Sequence, residues 1–249
     1  MGSELLRQER AADEVPPLPL YLAVAHTQAL IGSLIETTLG PSAGRPIVCL
    51  LTHVVVADDD PAFGRPTKPI GPFYSSDQAH SLERERDWIL VEEQGRGWRR
   101  AVPSPTPLEV VEAEQVRALI LAGAIPVACG GGGIPVVRRD DGRLIGVDAV
   151  IDKDRASAAL AAQLGAERLV ILTDVAAVKR GFGTSAEEEI RAMTLEQAEA
   201  LLPELAEGSM GPKVEAAIAM ARSGGEALIT ALEGVEAALA GRAGTRITM

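Results

Sequence analysis

Ile125-Pro126-Val127-Ala128-Cys129-Gly130-Gly131-Gly132-Gly133 runs an apolar segment straight into four glycines. An apolar run of this length without polar alternation reads as a strand buried on both faces, as in a parallel sheet. Glycines at its carboxyl end let the backbone approach an anion with amides turned inward and no Cβ in the way. Open α/β sheets bind ligands past the carboxyl ends of their strands, so this stretch points to a fold and to the edge where a site belongs. It is not a Walker loop, since no Gly-Lys-Ser/Thr follows, nor a dinucleotide fingerprint, since Pro135 takes the place of the last glycine. A flexible tight turn is the plainer alternative.

Upstream, a helix is predicted over Glu112 to Ala122. Before it, Ile47-Val48-Cys49-Leu50-Leu51 and Val54-Val55-Val56 form a further buried strand. A helix over Leu22 to Leu39 is expected to turn Leu30, Leu34 and Ile35 to the core and to stop at Gly40. Gly2 to Arg10 reads as helix with no preceding strand or cap, as though the chain began within an element. Residues 58–107 differ in texture: proline and glycine are dense, and Phe63, Phe73, Tyr74, Trp88 and Trp98 gather there. We read 58–107 as an inserted lid subdomain of a single domain spanning 1–249.

Downstream, Val136-Val137 and Leu144-Ile145 flank Asp141-Gly142, the signature of a hairpin with a type I′ turn. A helix follows over Arg155 to Leu164, then a strand over Leu169 to Leu172 and a helix from Pro212 to Arg222. Strands alternating with helices imply a three-layer αβα sandwich with a mostly parallel sheet.

With 47% hydrophobic and 24% charged residues, the chain has the composition of a globular protein. A net charge of -11 repels nucleic acid and anionic membranes, so any phosphate site must be made locally. No apolar run reaches the length of a membrane span. Cys49 and Cys129 lack metal or redox spacing and read as buried thiols, which suits the cytoplasm. His26, His53 and His80 are scattered and carry no assigned role.

Four elements carry chemistry. The first is Gly130 to Gly133. In Ile151-Asp152-Lys153-Asp154, an ammonium flanked by carboxylates precedes a helix; it is held and kept charged, as transfer of a phosphoryl group demands. The plainer alternative has Asp154 capping the helix and Lys153 solvated. Thr173-Asp174-Val175 puts a carboxylate at a strand's carboxyl end, where a cap is the alternative. Gly208-Ser209-Met210-Gly211-Pro212-Lys213 opens a helix with a lysine in its first turn, where free amides and the helix dipole already attract anions.

Taken together these segments resemble the carbamate kinases, a branch of the amino-acid kinase fold family. Further matches are Asp60-Pro61-Ala62-Phe63, Pro66-Thr67-Lys68-Pro69-Ile70-Gly71-Pro72, Val102-Pro103-Ser104-Pro105 and Gly244-Thr245-Arg246. The resemblance implies ATP and ADP with Mg2+ carried by the nucleotide, carbamate and carbamoyl phosphate as small-molecule substrates, and a homodimer. It implies that Lys153 and Lys213 neutralise phosphates and that Asp154 orients them. Asp174, Val175, Met210, Gly211 and Pro212 would line the nucleotide site, Gly130 to Gly133 the phosphate loop, and Lys68 would reach in from the lid; no protein metal site is implied. No general base is called for, because carbamate is already an anionic nucleophile. The family's amino-terminal Gly-Gly-Asn and His-Gly-Asn-Gly-Pro-Gln loops have no counterpart here, and Met1 to Arg10 align with the helix that follows them. Two strands would then be missing, apolar surface exposed, and the activity of the 249-residue form low. Another acyl-phosphate-forming amino-acid kinase and a non-catalytic nucleotide-binding or dimerising remnant are the alternatives.

Overall fold

Two parallel pairings frame the glycine run. In the computed structural model, which describes residues 18–93, 95–205 and 210–249, β1 (Ile47–Cys49) lies parallel to β7 (Ile125–Val127). Further on, β2 (His53–Val55) lies parallel to β8 (Ile134–Arg138). Register opens between Cys49↔Val127 and His53↔Ile134, where residues 50–52 face the longer stretch 128–133. The surplus is the glycine run, which leaves the ladder as a loop. On the flanks of β2 and β8 run the antiparallel strands β6 (Glu109–Val110) and β9 (Leu144–Gly146). The expected helix at Gly2 to Arg10 lies outside the described residues.

The chain divides into two compact units, up to Ala156 and from Ser157. Residues 58–107 belong wholly to the first. There β3 (Lys68–Tyr74), β4 (Ile89–Glu93) and β5 (Gly97–Val102) form an antiparallel sheet in the order β3-β5-β4, with α2 (Ser76–Arg86) inserted after β3. Asp60 ties its ends together, one carboxylate oxygen accepting the Ala62 amide (2.8 Å) and the other the Thr106 amide (2.9 Å). Two of the gathered aromatics are covered by arginines: Arg86 and Arg100 over Trp88, Arg96 and Arg99 over Phe73. Guanidinium planes on ring faces shield apolar area that so small a sheet cannot bury.

Two local expectations are corrected. The helix α1 spans Leu20–Ala43, through Gly40 and Pro41, and ends at Gly44 in the left-handed conformation (φ 65). Its buried face is Leu20, Ala23, Val24, Gln28 and Gly32, while Leu30 (59%) and Leu34 (53%) are exposed. The close approach of α1 to β1 explains this, because a Cβ on Gly32 would stand 1.9 Å from Cys49 Sγ. Gly32 therefore faces inward at the contact, and Leu30 and Leu34 face out. In the β8–β9 hairpin, Gly142 has φ 83 and Asp141 is not in the positive-φ region. The Gly142 amide donates to Arg139 O and the Arg139 amide to Arg143 O. That is a type I turn followed by a left-handed glycine, not type I′.

In the second unit the sheet order is β10-β14-β15-β13. Here β10 (Arg168–Thr173) is parallel to β14 (Glu226–Ala231), β14 antiparallel to β15 (Thr245–Thr248), and β15 parallel to β13 (Ala192–Thr194). The helix α3 (Ala113–Leu121) belongs to the first unit, and α4 (Lys153–Leu164) spans the division. Further on come the hairpin β11 (Val178–Arg180) and β12 (Glu188–Ile190) and the helices α5 (Leu195–Leu201), α6 (Gly211–Arg222) and α7 (Val235–Leu239). Val214, Ala217, Ile218 and Ala221, spaced three or four apart on α6, pack with Ala227, Ile229 and Ile247 as the core. The α/β architecture holds, with parallel pairs in both units and antiparallel strands beside them.

Candidate functional site

In the first unit the glycine loop is locked by its neighbours. Gly131, Gly132 and Gly133 all have positive φ (66, 101 and 83), and Cys129 enters the loop at φ 55. A Cβ on Gly132 would lie 2.0 Å from the Ile151 carbonyl oxygen, and one on Gly133 2.3 Å from Val54 Cγ2. Only glycine satisfies both the dihedral and the contact. The amides of Gly132, Gly133 and Ile134 donate to Cys129 O, Gly130 O and Thr52 O, which fixes the turn. Gly131 is exposed, with open space where a Cβ would project.

Behind the loop stands a buried polar pair. Gln28 Nε2 donates to Thr52 O (3.1 Å), while Gln28 Oε1 accepts from the Thr52 amide (3.2 Å) and hydroxyl (3.0 Å). Thr52 Oγ1 in turn accepts the Cys129 amide at 2.8 Å. Each hydrogen bond satisfies a group that has no access to water. Burial pushes the Cys129 thiol up to about 11, against the lowering effect of Thr52 and with a further push from Glu112, so it is an inert neutral thiol beside the loop.

Where the glycine loop touches Ile151, the chain turns into α4. The cap is Asp152, whose Oδ1 accepts the amides of Asp154 (2.9 Å) and Arg155 (3.4 Å). This corrects the alternative that placed the cap on Asp154. Asp152 Oδ2 meets Lys68 Nζ at 2.5 Å, which brings the lysine of β3 to the start of α4. Burial alone would raise the Asp152 pKa. The hydrogen bond and charge of Lys68, with the two capping amides, outweigh burial and hold it below the ordinary aspartate value. Lys153, with its side chain 61% exposed, lies 3.4 Å from Asp154 Oδ2, and Asp154 is buried. Lys68, Lys153, Asp154 and the glycine loop, read separately from the sequence, are thus brought to one place.

The second unit holds a cavity of about 560 Å3 lined by Asp174, Val175, Lys179, Phe182, Leu205 and Met210 among others. The volume is within the range of small-molecule sites, and an apolar lining with few polar groups suits a flat heterocycle. Asp174, Val175 and Met210 were expected there; Lys179 and Phe182 were not. Their turn is braced by Lys179 Nζ on Glu187 Oε1 (2.6 Å) and by Glu187 Oε2 accepting the Gly183 amide (3.0 Å). Lys179 alternates out of a β11 strand too short to show a pattern, which is why the sequence hid it.

Met210 also stands at the start of α6, which has no side-chain cap and no acidic residue in its first turn; Gly211, Pro212 and Lys213 follow. A helix start with a lysine in its first turn is a place where the dipole favours an anion. Gly208 and Ser209 lie outside the described residues.

Residues 73–231, well over half the chain, match the model of the amino acid kinase family. The chain belongs to that family. Within it, the carbamate kinase of Halobacterium salinarum is 45% identical over 98% of this chain and 80% of its own length. Two solved structures of carbamate kinase from Giardia lamblia are each 38% identical and cover 99% of this chain. The one bound to citric acid has a TM-score of 0.90 over 80% of its own chain, and the one bound to AMP-PNP has 0.87 over 81%. These amino acid kinases carry the α/β fold seen here. Among the described residues, no helix is long and apolar enough to cross a membrane.

Proposed function

We propose that this chain transfers a phosphoryl group reversibly between MgATP and carbamate, carbamoyl phosphate and ADP giving ATP in the reverse sense. The observation that carries the reading is the first-unit cluster: two lysines, a capped helix start and a glycine loop in backbone contact with it. Its chemistry needs no proton transfer. A carbamate oxygen attacks the γ-phosphorus, the bond to the β,γ-bridging oxygen breaks, and ADP leaves with the electron pair.

Lys153 stabilises charge on the transferring group, Asp154 holds Lys153, and Lys68 adds a second cation from the lid. Gly130 to Gly133 leave room for a small anion. Lys213 and the Gly211 amide receive nucleotide phosphates, while Asp174 and Val175 border the base and ribose. The magnesium ion is part of the nucleotide substrate. The solved relative bound to AMP-PNP supports an adenine nucleotide.

We also place the protein in the cytoplasm, in keeping with two free cysteines, and read it as a homodimer. The outward stripe of α1, with Leu30, Ile31, Leu34 and Leu39 exposed, supports self-association. The deciding experiment is ATP formation from carbamoyl phosphate and ADP, run beside acetyl phosphate and amino-acid acyl phosphates. Turnover is expected with carbamoyl phosphate alone, and at a low rate, since the loops for which the sequence shows no counterpart would hold the transferring group. Turnover with an amino-acid acyl phosphate in its place would move the chain to another branch of the family.

A further inference from the structure

Asp152, the cap of α4 and one of the two carboxylates beside Lys153, has no role of its own in the transfer described above. It is nearly inaccessible, with a side chain 7% exposed, yet both of its oxygens are engaged and each by a different element. Oδ1 accepts two amides at the start of α4 (2.9 and 3.4 Å), and Oδ2 accepts from Lys68 Nζ of β3 (2.5 Å). Its neighbour Ile151 presents the carbonyl on which Gly132 is packed. One carboxylate therefore joins the inserted sheet, the helix that begins with Lys153 and the loop residue that supports the glycine run.

We propose that Asp152 is a positioning residue, which fixes the Lys68 ammonium at the phosphoryl site and couples the lid to the start of α4. An ammonium has three donors. The Asp152 bond uses one and sets the direction of the other two, so the held lysine remains able to meet an anion. A flexible four-carbon side chain left without that anchor samples many positions, and misplacement of a charged group near the reacting atoms is costly to turnover. The proposal rests on the phosphotransferase reading and adds to it how the lid lysine is aimed.

The test uses Asp152→Asn, Asp152→Ala and Lys68→Met, singly and with Asp152→Asn in the Lys68→Met background. Asparagine caps a helix as well as aspartate does, so Asp152→Asn keeps the amide contacts and loses only the hold on Lys68. We expect kcat about 10-fold lower in both Asp152 variants, KM for ADP unchanged, and a large fall in Tm only for Asp152→Ala. In the Lys68→Met background Asp152→Asn should lower kcat no further. A role confined to stability would instead make kcat follow Tm. Unchanged or raised kcat in Asp152→Asn, or losses that multiply with Lys68→Met, would overturn the proposal. If the parent protein shows no turnover, the functional reading fails by itself, and calorimetric binding of inorganic pyrophosphate takes over. Weaker binding in Asp152→Asn supports positioning; tighter binding, as expected from simple removal of a negative charge, overturns it.

Discussion

The starts of α4 and α6 each carry a lysine at the amino end of a helix, yet they meet the unsatisfied amides in opposite ways. At α4, Asp152 accepts two of them and its other oxygen takes Lys68, so a side chain of the protein itself caps the helix. At α6 there is no side-chain cap, Pro212 occupies the first turn, and that turn carries Lys213 and no acidic residue. The first arrangement organises cations with a buried anion of its own; the second, in the function proposed above, receives an anion from outside.

This contrast is most exposed at the two lysines. Lys153→Met should lower kcat by roughly 10²- to 10³-fold with KM for ADP little changed, because its charge matters as the phosphoryl group moves. Lys213→Met should weaken MgADP binding instead, visible by calorimetry at low salt. A common effect on kcat alone would erase the distinction.

Next in size is the loop that packs on Ile151. Gly132→Ala forces a Cβ to within 2.0 Å of a carbonyl oxygen at φ 101, and should destabilise by about 2–4 kcal/mol in urea unfolding. Gly131→Ala, at φ 66 with open space, should cost about 1 kcal/mol. Equal losses at the two positions would mean that the contact with Ile151 does not hold the loop.

A smaller effect separates the ends by pH. Asp152 has its folded pKa below the unfolded value, so its contribution to stability is present above the unfolded value and is lost as pH falls through the folded one. In Lys68→Met the hydrogen bond and charge of Lys68 are gone and only the two capping amides oppose burial, so the folded pKa rises and the loss of stability on acidification should shrink. Tm measured against pH for both proteins checks the change in slope; parallel curves would show that Lys68 does not set the charge of Asp152.

The smallest effect is expected from giving α6 an anion of its own. Met210→Asp should stabilise the unliganded protein by about 0.3–1 kcal/mol through the helix dipole, while weakening MgADP. A rise in both Tm and ADP affinity would break the view that this end is kept open for phosphate.

Much of this was readable before the structure because it rests on local rules. Strand followed by glycine, proline in the first turn of α6, and the Ile151 to Asp154 run each carry their meaning within a few residues. The order of these motifs was enough to identify the family. The α1 face was misread because the apolar period of a helix does not say which stripe meets the core. Gly32 against Cys49 decides that, and the pairing is a matter of how closely α1 approaches β1. The hairpin turn was misread at Asp141 for a similar reason, since Asp-Gly is compatible with two turn types and the register of β8 on β9 selects one.

The sequence alone determined which residues could hold charge, where the backbone required glycine, and that strands and helices alternate, because each follows from the chemistry of neighbours along the chain. Only the tertiary structure decided that Asp152 and not Asp154 caps α4, that Lys68 meets it across 84 positions, and that Gln28 and Thr52 hold the glycine loop from behind. Those are contacts between residues far apart in the chain, and the free energy that selects them comes from burying polar groups that must find partners, which no local pattern encodes.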